Sequence, residues 1–190
     1  LGTDVPSMEY IVVDDGSRDS TLSEVAKFSG DRRVRLFVND SNVGLAASSN
    51  IAVDRARGKL IVRVDADDML LTGPFREAWP EVAERVRSGQ ENIIYPAFDE
   101  GNEYGGVERT GVEGGESHHA GCAVMDRAFL SELRFRDGLK FWDGLELFRR
   151  ASKVGRIGYE EMSIWSYRRR AGSMSRATPE RESARQELGA

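Results

Sequence analysis

The chain has 190 residues, a formal net charge of −5, 39% hydrophobic and 31% charged residues. That length suits one domain with a substantial core, and the acidic balance argues against a general nucleic-acid binder, which needs a basic face. A single cysteine, Cys122, excludes an internal disulfide framework and fits a reducing compartment, so a cytoplasmic setting is expected. No apolar run reaches the roughly 18 residues of a membrane helix, and no secretory signal opens the chain. The opening Leu1-Gly2-Thr3-Asp4 has no initiator Met, so the start reads as processed or truncated.

The first half alternates strand and helix signals. Glu9-Tyr10-Ile11-Val12-Val13 is a short apolar strand that stops at the turn cluster Asp14-Asp15-Gly16-Ser17. Ser20 is placed to cap a helix to about Ser29, with Leu22, Val25 and Ala26 as its apolar side. Val34–Val38 is a second strand, Asn39–Gly44 a polar loop, and Leu45–Ala56 a small-residue helix ending at Gly58. Leu60–Val64 is a third strand. Strand, helix, strand, helix, strand predicts right-handed crossovers and a parallel sheet, with ligands gathered at the carboxyl ends of the strands. Both Asp14-Asp15 and Asp65-Ala66-Asp67 stand at such ends.

Farther on, a helix over about 74–87 contains Pro80, which predicts a kink or two short helices. Asn92–Tyr95 reads as a strand, and the Gly- and Glu-rich stretch 99–117 as a mobile loop or poor hairpin. His118-His119-Ala120-Gly121 opens another ordered segment, Trp142–Lys153 is a helix, and 157–159 and 164–167 look like two short strands. Thr178–Leu188 is a polar helix or frayed tail, reaching a partner or simply solvated.

The third strand runs straight into Asp65, Asp67 and Asp68. Like charges so crowded repel unless something positive neutralises them. Either a hard divalent cation does so through oxygen ligands, with phosphates on its far side, or the three form a solvated acidic turn or helix cap.

These motifs, in this order, resemble family-2 inverting glycosyltransferases of the GT-A fold. Ile11 to Thr21, with Asp14-Asp15-Gly16-Ser17 inside it, is similar to the family's nucleotide-binding signature. Asn42-Val43-Gly44 through Asn50, Ala56-Arg57-Gly58-Lys59, Asp65-Ala66-Asp67-Asp68, Trp142-Asp143 with Leu147 and Arg150, and Tyr167-Arg168 with Ser173 and Ser175 follow. The resemblance implies an α/β fold with a mixed, mainly parallel sheet flanked by helices, a GT-A domain over 1–176 and a polar helix or tail over 177–190. It further implies metal-dependent transfer of a sugar from a nucleotide diphosphate sugar, a UDP-sugar above others, to a carbohydrate or lipid-linked acceptor, with inversion. Membrane association would then come only through that acceptor.

By the same resemblance, Asp15 accepts from the imide N–H of the nucleotide base. Asp67 ligates Mn2+ or Mg2+, and Asp65 reaches the metal or the ribose. Asp143 is the base that deprotonates the acceptor, with an N-cap of helix 144–153 as the rival role. Trp142 stacks on a sugar or packs in the core. Arg168, Arg169 and Arg170 clamp the diphosphate or form a solvated basic strand, and one of His118 and His119 contacts acceptor or metal or is structural.

Three departures stand beside it. The family's first strand and helix are absent, so the sheet is expected to carry a gap with orphan backbone groups. Position 49 is Ser where many relatives carry Arg, and position 170 is Arg where some place a His. Two rival functions follow: a catalytically silent GT-A-like fragment or scaffold, and a nucleotidyltransferase, which would want a Gly-rich basic loop after the first strand.

Overall fold

The computed structural model describes residues 5, 7–101, 107–111, 120–121, 123–168 and 178–188. The elements run β1 (Tyr10–Asp14), α1 (Thr21–Ala26), β2 (Val34–Val38), α2 (Leu45–Arg55), β3 (Leu60–Val62), β4 (Met69–Leu70) and α3 (Thr72–Arg87). Then come β5 (Ile93–Gly101), β6 (Val107–Gly111), β7 (Val124–Asp126), α4 (Arg127–Leu133), α5 (Asp143–Val154), β8 (Ile157–Arg168) and α6 (Pro179–Glu187).

The α/β class with helix-flanked sheets is as expected. The strands form two sheets. β1 and β2 pair in parallel, Tyr10 opposite Val34 through Asp14 opposite Val38. The larger sheet has the order β3-β7-β5-β8-β4, with β6 hydrogen-bonded to β5. Among the described residues no ladder joins β1 to β3, so the parallel pairing expected across the first three strands is limited to β1–β2. The parallel share is smaller than expected: β5–β8 is parallel, whereas β3–β7, β5–β7, β5–β6 and β4–β8 are antiparallel. Glu9 ties the two sheets. Its carboxylate accepts from the backbone N–H groups of Arg57 (2.6 Å) and Gly58 (3.2 Å), just before β3, and from Arg35 Nη1 of β2 at 2.7 Å.

Both faces of the larger sheet are covered. Along β5 the side chains alternate, as the two-residue period of a strand requires. Ile93 and Tyr95 join Met125, Leu130, Phe135, Leu147 and Ala151 under α2, α4 and α5. Ile94 and Phe98 join Val124, Ile164 and Trp165 under Phe75, Ala78, Val82 and Val86 of α3.

Two local expectations are corrected, and one helix is new. α3 is one 16-residue helix that runs through Pro80, not two. A proline inside a helix costs about 3 kcal/mol, but Pro80 is on the exposed side while Phe75, Ala78, Val82, Ala83 and Val86 bury the other. Each such side chain fully buried contributes roughly 1.5–3 kcal/mol, so the packed face wins. The two short strands expected over 157–167 are one 12-residue strand, β8. The polar break Glu160-Glu161 sits at a bulge, where the register against Pro96, Ala97 and Phe98 shifts and Glu160 Oε1 accepts from the Met162 N–H at 3.0 Å. Helix α4 had no sequence expectation. It starts because the Asp126 side chain accepts from the Phe129 N–H at 2.7 Å and it buries Leu130.

Stretch 99–117 contains the hairpin β5–β6, and its remainder lies outside the described residues. No helix among the described residues is long and apolar enough to cross a membrane.

Candidate active site

The candidate residues follow the carboxyl ends of β1 and β3. At β1, Asp14 is buried, and its Oδ2 accepts from the Ser17 N–H at 3.1 Å, three residues on, which closes the turn. Its Oδ1 is buried with no hydrogen-bond partner among the described residues. Asp15 does something different. It reaches across to the loop before α2, where Oδ1 accepts from Asn39 Nδ2 (2.9 Å) and the Val43 N–H (2.8 Å), and Oδ2 from the Gly44 N–H (2.8 Å). Gly16 lets the two loops close. Its φ is 76°, and a Cβ there would stand 3.1 Å from Asn42 N and 3.2 Å from Ser41 C.

Partial burial raises the Asp15 carboxyl, and the hydrogen bonds from Val43, Asn39 and Gly44 more than reverse that, leaving it below its ordinary value. A carboxylate lowered by folding contributes stability above its unfolded value, near pH 4, and that contribution disappears as pH falls through the lower folded value. Asp15→Asn should therefore lower the urea midpoint at pH 7 more than at pH 3. An equal loss at both would show that the charged form is not what the loop holds.

β3 ends at Val62, two residues earlier than expected, and the chain turns. The Asp68 N–H donates to the Asp65 carbonyl at 3.0 Å. β4 then pairs with β8, Met69 opposite Ser166 and Leu70 opposite Trp165. This brings Arg168 to the turn, where its backbone N–H donates to Asp68 Oδ1 at 3.1 Å. Burial pushes the Asp68 carboxyl up to about 7, opposed by the Arg168 N–H and reinforced by the charges of Asp65 and Asp67.

Asp143, 80 residues along the chain, comes to the same turn through Arg63. Arg63 Nε donates to Asp65 Oδ1 (2.9 Å) and Nη2 to Asp65 Oδ2 (3.3 Å), while Nη1 donates to Asp143 Oδ2 at 2.6 Å. Burial works against the guanidinium charge, and the two carboxylates outweigh it, holding Arg63 above its usual range. Asp143 is the first residue of α5, and Trp142, not Asp143, holds the N-cap position. The Asp143 carboxylate makes no capping hydrogen bond among the described residues; it faces Arg63.

Trp142 has φ 64°, a left-handed conformation that costs a non-glycine residue about 1–3 kcal/mol. The C-terminal helix holds it there. Trp142 Nε1 donates to the Arg181 carbonyl at 2.9 Å, and the Arg181 guanidinium lies 4.0 Å from the ring centroid. Thus α6 packs back on the site's rim, and one indole face is taken by Arg181. Ser49 Oγ donates to the Leu45 carbonyl within α2 at 2.7 Å. Arg150 pairs with buried Glu146 at 2.7 Å and donates to the Arg134 carbonyl, locking α5 on the end of α4. Arg169, Arg170, His118, His119, Ser173 and Ser175 lie outside the described residues.

The chemistry of the turn suits Mn2+ or Mg2+. Asp65 and Asp67 offer hard oxygen donors, and a cation that draws further ligands from phosphates and water needs only one or two protein carboxylates. Among the described residues no group of three His, Cys, Asp or Glu converges as a cation site.

Sequence reasoning missed two contributors. Arg63 interrupts the apolar run Leu60-Ile61-Val62, and a cation there needs a buried partner, which was the available signal. Asn50, buried on α2, accepts from the Phe135 N–H at 2.9 Å and donates to the Phe135 carbonyl at 2.8 Å. That fixes the ring over which Arg63 lies, 5.2 Å from its centroid.

A family model described as Glycosyl transferase family 2 matches residues 4–111, more than half of the chain. The chain is similar to the glycosyltransferase GlyG of Streptococcus pneumoniae serotype 4, 26% identical over 90% of this chain and 64% of that protein. It is also similar to the succinoglycan biosynthesis protein ExoU of Rhizobium meliloti, 30% identical over 77% of this chain and 49% of that protein. The chain thus spans about half to two thirds of the length of these curated relatives. Its fold is that of S. aureus TarS 1-349, solved in complex with UDP-GlcNAc, at a TM-score of 0.76 and 18% identity over 98% of this chain and 58% of that one. The matched segment alone covers more than half of the sequence: the chain belongs to glycosyl transferase family 2.

Proposed function

We propose that this chain carries the donor site and the base of an inverting glycosyltransferase that uses a nucleotide diphosphate sugar, UDP-linked above others, with Mn2+ or Mg2+. The observation that carries the proposal is the meeting of Asp143 with the Asp65–Asp68 turn across Arg63. A base for the acceptor has to stand beside the site that holds the leaving diphosphate, and this contact supports that placement. The UDP-GlcNAc and UDP complexes of the structural neighbour TarS support the donor class.

In this assignment Asp15 receives the base of the nucleotide, and Arg168 and Arg170 are the cations assigned to the diphosphate. Asp67, with Asp65, would hold the metal, which when bound offsets the charge on the departing nucleoside diphosphate. Asp143 accepts the proton of an acceptor hydroxyl as that oxygen attacks the anomeric carbon. The new C–O bond forms on one side while the bond to the diphosphate breaks on the other, its electron pair leaving with the phosphate. One displacement from the opposite side inverts the anomeric centre. The acceptor is a carbohydrate or lipid-linked hydroxyl.

The test is release of UDP by the full chain from a panel of UDP-sugars with Mn2+. Release that stops on adding EDTA is expected. No release and no UDP binding would favour a silent scaffold, and pyrophosphate release from UTP with a sugar 1-phosphate would favour a nucleotidyltransferase.

A further inference from the structure

The Arg63 side chain is only 11% exposed, and its head group meets two carboxylates that the transferase assignment gives to different substrates. Asp65 belongs to the donor turn and Asp143 to the acceptor side. Nε and Nη2 grip both oxygens of Asp65, and Nη1 holds one oxygen of Asp143. The other Asp143 oxygen, Oδ1, takes no hydrogen bond among the described residues. A carboxylate held by one oxygen is fixed in rotation and presents the other to an incoming proton. Below the guanidinium lies Phe135, which Asn50 clamps by both backbone groups.

We propose that Arg63 is a positioning residue that sets the orientation of Asp143 relative to the donor turn, so that donor site and base are aligned by one side chain. This rests on the assignment of Asp143 as base. Charge alone would not do it. Lysine carries the same charge at one point, on three donors without a planar fork, and cannot span both carboxylates as arginine does.

Arg63→Lys is the decisive variant. Its transfer kcat should fall by about 10²-fold, the size of effect that small misplacement of a reacting group produces, while the donor KM changes little. The double variant Arg63→Lys/Asp143→Asn should be no slower than Asp143→Asn alone, because both act on one group. Full kcat in Arg63→Lys, or additive losses in the double variant, would overturn the inference.

A second measurement does not depend on how Arg63→Lys folds. In the 15N-labelled protein, the Arg63 Nε–Hε signal, assigned through bonds, should shift in Asp143→Asn; an unmoved signal would also overturn it. The two layers separate cleanly. If Asp143→Asn keeps its transfer rate, the base assignment fails. If Asp143→Asn is inactive and Arg63→Lys is fully active, only the positioning role fails.

Discussion

Asp143→Asn should lower sugar transfer by about 10³-fold, within the range that loss of a general base produces, and leave UDP affinity unchanged. The reason is geometric. Asn keeps the shape of Asp and the oxygen that meets Arg63 Nη1, so α5 and Trp142 should stay in place. It cannot take the acceptor's proton. The measurement is kcat with saturating donor, paired with UDP binding to the same preparation. Asp143 is not the N-cap of α5, but its charge pairs with buried Arg63, so the unfolding midpoint should fall; UDP affinity retained in the same folded preparation is what shows that the lost rate is chemical. Normal turnover would remove Asp143 as the base.

The second large effect concerns Asp67. Asp67→Ala should weaken the joint binding of Mn2+ and UDP by about 10²-fold, roughly 3 kcal/mol. Asp65 is already held at both oxygens by Arg63, so it is a constrained partner for a cation. In the proposed assignment Asp67 is the metal carboxylate that Arg63 does not grip, so its removal is the test of the cation site. Electron paramagnetic resonance reads this directly, since free Mn2+ loses its signal when it binds. With UDP present, wild type should take up Mn2+ and Asp67→Ala should not. Equal uptake by both would place the cation elsewhere.

The sequence carried the strand ends and their carboxylates because local rules govern them. Apolar runs stopping at Asp14-Asp15-Gly16 and Asp65-Ala66-Asp67 mark β1 and β3, and β2 is Val34–Val38 as the pattern implies. The same rules could not decide between two roles for Asp143. A carboxylate at the start of a helix is a cap by local statistics, and only tertiary structure turns it toward Arg63. Arg63 itself was invisible as a bridge because its partner lies 80 residues away.

Pro80 and the Glu160-Glu161 break misled in the opposite direction. Both are local disruptions, and in both the burial of flanking side chains, Phe75 and Val82 around the one, Ile164 and Trp165 beyond the other, keeps the element whole. The covering of Trp142 by α6 was also beyond local reading, since the polar pattern of 179–187 gives no face to a partner.

The most direct test of the account is calorimetric titration of UDP into the full chain, once with Mn2+ and once with EDTA. Saturable binding with Mn2+ that is lost with EDTA is expected. Equal binding in both titrations, or none in either, would contradict a cation-dependent nucleotide site at the Asp65–Asp68 turn.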